Sequence, residues 1–68
     1  MDGYLLINRF DNSVVYEFVD CNTNDIIDAV NNIRTDNIPL TLFSAKFYHH
    51  KKKTGYLALV GDEVCSWE

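Results

Sequence analysis

The residues best equipped for chemistry are few. His49 and His50 adjoin Lys51, Lys52 and Lys53 in the segment FYHHKKKTGYLALV, residues 47–60. Imidazoles ligate metals and move protons, and ammonium groups meet phosphates. A zinc site needs three or four converging ligands. Adjacent strand residues point to opposite faces, so His49 and His50 cannot chelate from one side. Cys21 and Cys65 are far away in sequence, and no CxxC or HxxxH spacing exists. No metal or other cofactor is expected. The three lysines could touch phosphates from a hairpin tip, with Tyr48 and Tyr56 stacking nearby bases. Against that stand ten acidic residues and a formal charge of −4. That balance disfavours nonspecific nucleic-acid binding, which needs a positive face, and permits attraction to a basic partner. Lysine also protects loops and strand edges. The segment therefore reads as a basic hairpin tip used for steering or rim contact. Direct nucleic-acid contact through Lys51, Lys52 and Lys53 is the alternative.

Carboxylates are the other candidates. Asp25, Asp28 and Asn32 form a stripe at spacings of three and four, with Asp20 and Asp36 near its ends. On a helix such a stripe could imitate a row of phosphates for a basic partner. The plain alternative is a solvated helix face. Catalysis finds no footing: GxSxG, P-loop and HExxH patterns are absent. A pairing of Cys65 with His49 can be imagined, but nothing in the sequence brings them together. Sixty-eight residues also leave little room for a pocket of roughly 300 Å³ beside a core. An enzyme is not expected.

The elements that must position these groups follow from period. Residues 4–10 and 14–20 read as strands, the second rich in β-branched and aromatic residues. Asp11, Asn12 and Ser13 between them tolerate the left-handed backbone of a tight hairpin. From Asp25 to Arg34 the period changes. Ile26, Ile27, Ala29, Val30 and Ile33 fall on one helical face. Asn22, Thr23 or Asn24 can cap its start, Asp25 and Asp28 suit the positive end of the dipole, and Arg34 suits the negative end. Asn37 and Pro39 stop it. A helix of about ten to thirteen residues hardly survives alone and must pack on something. Residues 40–48 and 56–60 read as two more strands, and Gly61, Asp62 and Glu63 as a turn into a short fifth strand at 64–67. The order β-β-α-β-β predicts a single two-layer α+β domain over residues 1–68. One helix packs on an antiparallel sheet of four to five strands.

Alternation assigns faces. Thr41, Phe43, Ala45 and Phe47 share one face, expected to meet the helix together with Tyr4, Leu6 and Phe10. Leu5, Ile7, Val15, Val19, Leu42, Tyr48, Leu57, Leu59 and Trp67 are then expected on the other, mixed with Arg9, Glu17 and Lys46. One short helix cannot cover both sides of a sheet. An apolar open face of more than a few hundred Å² marks an interaction site, and aromatic and aliphatic anchors carry such interfaces. Tyr48, Leu57, Leu59 and Trp67 are the expected anchors. Lys51, Lys52 and Lys53 form the rim, and Asp25 and Asp28 supply electrostatic mimicry. Closure of this face by the last strand is the alternative, and self-association into a homodimer is another use for it.

No run approaches the ~20 apolar residues that span a bilayer, and Asp2 with the short Leu5-Leu6-Ile7 run makes no export signal. A cytoplasmic location with no membrane contact is expected, and with it two free thiols at Cys21 and Cys65. The chain begins at Met1, reads as complete, is acidic and carries seven Asn. In that format, with its β-β-α-β-β order and no catalytic motif, it resembles small virus-encoded proteins that disable a host machine, of the anti-CRISPR and anti-restriction type. LINRF, DIIDAV and GYLALVGDEV are not signatures of any one family, so no family site residue carries over. The resemblance implies binding and inhibition of a larger protein or protein–nucleic acid complex.

Overall fold

The computed structural model describes residues 1–34, 37–49 and 56–68. Four strands and one helix follow in the order β1 (Asp2–Asn8), β2 (Val14–Val19), α1 (Thr23–Ile33), β3 (Leu40–His49) and β4 (Tyr56–Trp67). All pairings are antiparallel, and the sheet order is β2-β1-β3-β4. This is the expected α+β class with four strands. The segment Lys51, Lys52, Lys53, proposed above as a basic tip, lies outside the described residues.

The first hairpin turns where its polar residues allow. Asn8 accepts the Phe10 N–H on its side-chain oxygen at 2.8 Å, and its backbone pairs with Asn12 and Ser13. Asn12 sits at φ 60°, a left-handed geometry that Asn tolerates. Asp11 accepts both the Ser13 hydroxyl (2.7 Å) and the Ser13 N–H (3.0 Å). Those bonds, the hydroxyl's first, hold its carboxyl below the usual carboxylate range. Phe10 therefore stands in the turn, 78% exposed, rather than under the helix as its alternation suggested.

Asn22 is the residue that caps α1. Its side-chain oxygen accepts the Asp25 N–H at 2.8 Å, and its side-chain amide donates to the Asp25 carboxylate at 2.9 Å, so the cap is held by two reciprocal bonds. Asn22→Ala should lower stability by about 1 kcal/mol, read as a drop in the urea midpoint with unchanged slope. Ile26 and Val30 are the buried residues of the helix, each worth about 1.5–3 kcal/mol of burial.

Those two side chains meet Leu6, Leu40, Leu42 and Trp67. On β3 the expected faces are therefore reversed: Leu42 lies under the helix, and Phe43, Ala45 and Phe47 lie on the reverse. Register decides this. β1 pairs Leu6 with Leu42 and Leu5 with Phe43, so the side chain beside Leu6 on the helix face is Leu42. The larger Phe side chains suggested the opposite. Hydrophobicity alone could not set the parity of one strand against its neighbour.

The expected fifth strand is also corrected. No turn forms at Gly61, and β4 runs unbroken for twelve residues beside the ten of β3. Two register shifts, between Leu42 and Phe43 and between Phe43 and Ala45, absorb the two extra residues as bulges on β4. Ser44 Oγ accepts the Asp62 N–H at 2.9 Å inside this irregularity. A Cβ on Gly61 would stand 2.6 Å from that oxygen, so the glycine serves a bulge rather than a turn.

Candidate functional site

The helix is much shorter than the sheet it lies on. Eleven helical residues span about 16 Å, while ten strand residues span about 33 Å. The helix sits over the end of the sheet where Leu6, Leu40, Leu42 and Trp67 gather. Its first turn reaches Tyr4, whose hydroxyl lies 3.2 Å from Thr23 Oγ1. Beyond that point β1 also ends: Asp2 pairs with Lys46, and Met1 makes the last backbone bonds, to Phe47. The remainder of β3 and β4 projects as a two-stranded arm.

Three of the four expected anchors come together here, Tyr48 and Leu57 on the arm and Leu59 at its base, where β1 is still paired with β3. Tyr48 lies directly across from Leu57, and Lys46 across from Leu59. Tyr48, Leu57 and Leu59 are 46%, 55% and 56% exposed. Tyr48 shares the parity of Leu42, so this patch is on the helix-bearing side, past the end of the helix, and not on the reverse face where it was expected.

Trp67 is the fourth expected anchor and must be withdrawn as one. It is only 8% exposed and packs beneath α1. Its indole N–H donates to Asn31 Oδ1 at 2.9 Å, and its carbonyl accepts from Arg9 at 3.1 Å. Arg34 adds hydrogen bonds to the Ile38 and Glu68 carbonyls. The end of β4 is thereby fastened to the helix and to β1, which makes Trp67 a core residue.

A cleft of about 440 Å³ adjoins the arm, more room than a chain of 68 residues was expected to leave. Asp20 and Cys21 from the β2–α1 connection form one wall, Leu59 and Gly61 of β4 another, and Tyr4, Ser44 and Lys46 line it between them. Asp20 holds a left-handed φ of 57° as the chain turns into the helix cap. Leu59 belongs to both the cleft and the apolar patch. No local pattern marks Asp2, Asp20, Cys21 and Lys46 as neighbours, because only long-range strand order unites them.

The acidic stripe is present on the helix, where Asp25 and Asp28 are both exposed. The Asp25 carboxylate also accepts from the side-chain amide of the cap residue Asn22, so it is shared with the helix start. Cys21 and Cys65 are free thiols, Cys21 exposed and Cys65 half-buried. Among the described residues no group of three or more His, Cys, Asp or Glu could hold a metal ion. No helix among them is long and apolar enough to cross a membrane.

The reverse face of the sheet is apolar but partly sealed by its own side chains. Leu5, Ala45 and Phe47 are buried there, with Ile7, Val19 and Ala58 around them. The Phe47 ring lies over Gly3, with one ring carbon 2.7 Å from where a Cβ would stand. Among the described residues no helix or strand crosses this face.

Known proteins offer no likeness. No protein-family profile, curated protein or solved structure matches the chain.

Proposed function

We propose that the protein is a small non-enzymatic binding protein that occupies and inhibits a larger, nucleic-acid-handling protein, in the manner of virus-encoded inhibitors of host defence such as anti-CRISPR proteins. One observation carries the reading: Tyr48, Leu57 and Leu59 form an exposed apolar patch at the root of an arm that the protein's own helix stops short of covering. Aromatic and aliphatic side chains grouped in this way are the usual centre of a protein interface, and a few such anchors dominate affinity. The net charge of −4 supports a partner with a basic surface, approached by electrostatic steering. Asp2 and Asp20 beside the patch, with Asp25 and Asp28 on the helix, are the groups that would meet it.

The test is affinity capture from the native cell with the unmodified chain and with a Leu57→Asp, Leu59→Asp double variant. Both positions are exposed, so the variant should keep its urea midpoint. It should bind the captured partner at least about 100-fold more weakly, since each central anchor contributes about 2 kcal/mol. Capture that is indifferent to the two substitutions sinks the proposal. So does purified protein that shifts short oligonucleotides with a steep salt dependence, which would favour the nucleic-acid reading through Lys51, Lys52 and Lys53.

A further inference from the structure

We infer that the outer half of β4 pairs edge to edge with the same segment of a second copy, antiparallel, with Ala58 on the two-fold axis. β4 is an edge strand, so one side of its backbone bonds to β3 and the other has no strand beside it among the described residues. Such an edge is a template for strand addition unless it is blunted. The inner half of β4 is blunted by two bulges and by Asp62 and Glu63. Residues 56–60 are not: their register with β3 is unbroken and none is charged. Leu57, Leu59 and Val60 there are each more than half exposed. The opposite edge is less suited, because β2 has six residues, a register shift beside Val15 and a charged Glu17 in the run.

A second copy is the occupant that fits this edge. Antiparallel pairing about Ala58 sets Leu57 of each copy opposite the partner's Leu59 on one face, and Ala58 opposite the partner's Ala58 on the other. Charge decides between the two directions. Antiparallel pairing about Ala58 sends Asp62 and Glu63 of the two copies to opposite ends of the contact, whereas parallel pairing would set them side by side. The pairing is isologous and closes as a dimer instead of growing into a filament. It consumes backbone groups and leaves the sheet faces open, so the Tyr48, Leu57 and Leu59 patches of two copies merge into one. The short contact makes a weak dimer, below the size of stable interfaces. This inference goes beyond the inhibitory reading and stands or falls without it.

Two measurements test it on the purified chain, with no target present. Sedimentation velocity should show the mass rising from one chain to two as concentration climbs from micromolar to millimolar. Under mild oxidation, Ala58→Cys should crosslink to itself several-fold faster than Val64→Cys, because residues facing each other across a two-fold axis have Cα separations suited to a disulfide. Peptide mapping separates that bond from any formed by Cys21 or Cys65. A chain that stays monomeric throughout overturns the proposal. So does a dimer in which Ala58→Cys crosslinks no faster than Val64→Cys.

Discussion

Leu42→Ala should remove about half of the protein's stability in the absence of any binding partner. Leu42 is fully buried near the start of β3, between Leu6 on β1 and Cys65 on β4, under Ile26 and Val30 of the helix. Truncating such a leucine costs about 2–5 kcal/mol, part of it lost transfer free energy and part the cavity left behind. A chain of 68 residues has only about 3–10 kcal/mol to lose. Leu59→Ala is the matched control, since the same atoms are removed from a side chain that is mostly in water, and its effect should stay within about 0.5 kcal/mol. Urea titrations followed by far-UV circular dichroism and by fluorescence of Trp67, the single Trp, measure both. Equal midpoints for the two variants would mean that Leu42 does not lie beneath the helix.

That contrast between Leu42 and Leu59 also marks what the sequence could reveal. The helix was legible because Ile26, Ile27, Ala29, Val30 and Ile33 repeat at helical spacing and Asn22 precedes an acidic first turn. The strands were legible from alternation and β-branched content, and the first turn from Asp11, Asn12 and Ser13. Alternation, however, reports only that two sets of residues face opposite ways. Which set faces the helix depends on inter-strand register, and a shift of one residue exchanges them. In β1 the right set was paired with the helix. In β3 the three aromatic and small residues Phe43, Ala45 and Phe47 looked the better core, but the pairing of Leu6 with Leu42 overrules them. Gly61 misled for a related reason. A glycine followed by two acids serves a turn or a bulge equally well. The choice was made by Ser44, which is seventeen residues earlier in the chain, and by the fastening of Trp67 under the helix.

The same misplacement explains the fate of the candidate site. Tyr48, Leu57 and Leu59 were selected as apolar residues that one short helix could not cover, and they are exposed and adjacent. The reason is length along the strands rather than the side of the sheet. Helix α1 covers roughly half of β3 on its own face, and the arm begins where it ends. Trp67 stands at the other end of β4, so the alternation that groups it with Leu57 and Leu59 says nothing about its distance from them.

Gly3→Ala should destabilise the fold by about 1–3 kcal/mol, although alanine in an ordinary strand position is favoured over glycine by about 0.5–1 kcal/mol. The sign is reversed by what surrounds Gly3. A Cβ there would meet the Phe18 carbonyl oxygen and two carbons of the Phe47 ring, the latter at 2.7 and 3.1 Å. The Phe18 carbonyl belongs to the backbone of β2, where Gly3 pairs with Val19, so it cannot yield without opening the β1–β2 ladder. Phe47 is only 3% exposed and closes over Leu5 and Ala45, so moving its ring uncovers the reverse face of the sheet. A double-mutant cycle separates the two contacts. If the ring dominates, Phe47→Leu should recover part of the loss in the Gly3→Ala background while costing stability on its own. If the carbonyl dominates, the two losses should add. Either result keeps the reverse face as a surface that the protein seals with its own side chains, one of which needs a bare backbone beneath it. A urea midpoint raised by Gly3→Ala would show that Phe47 does not lie over Gly3, and the exposed arm would no longer be distinguished from the face behind it.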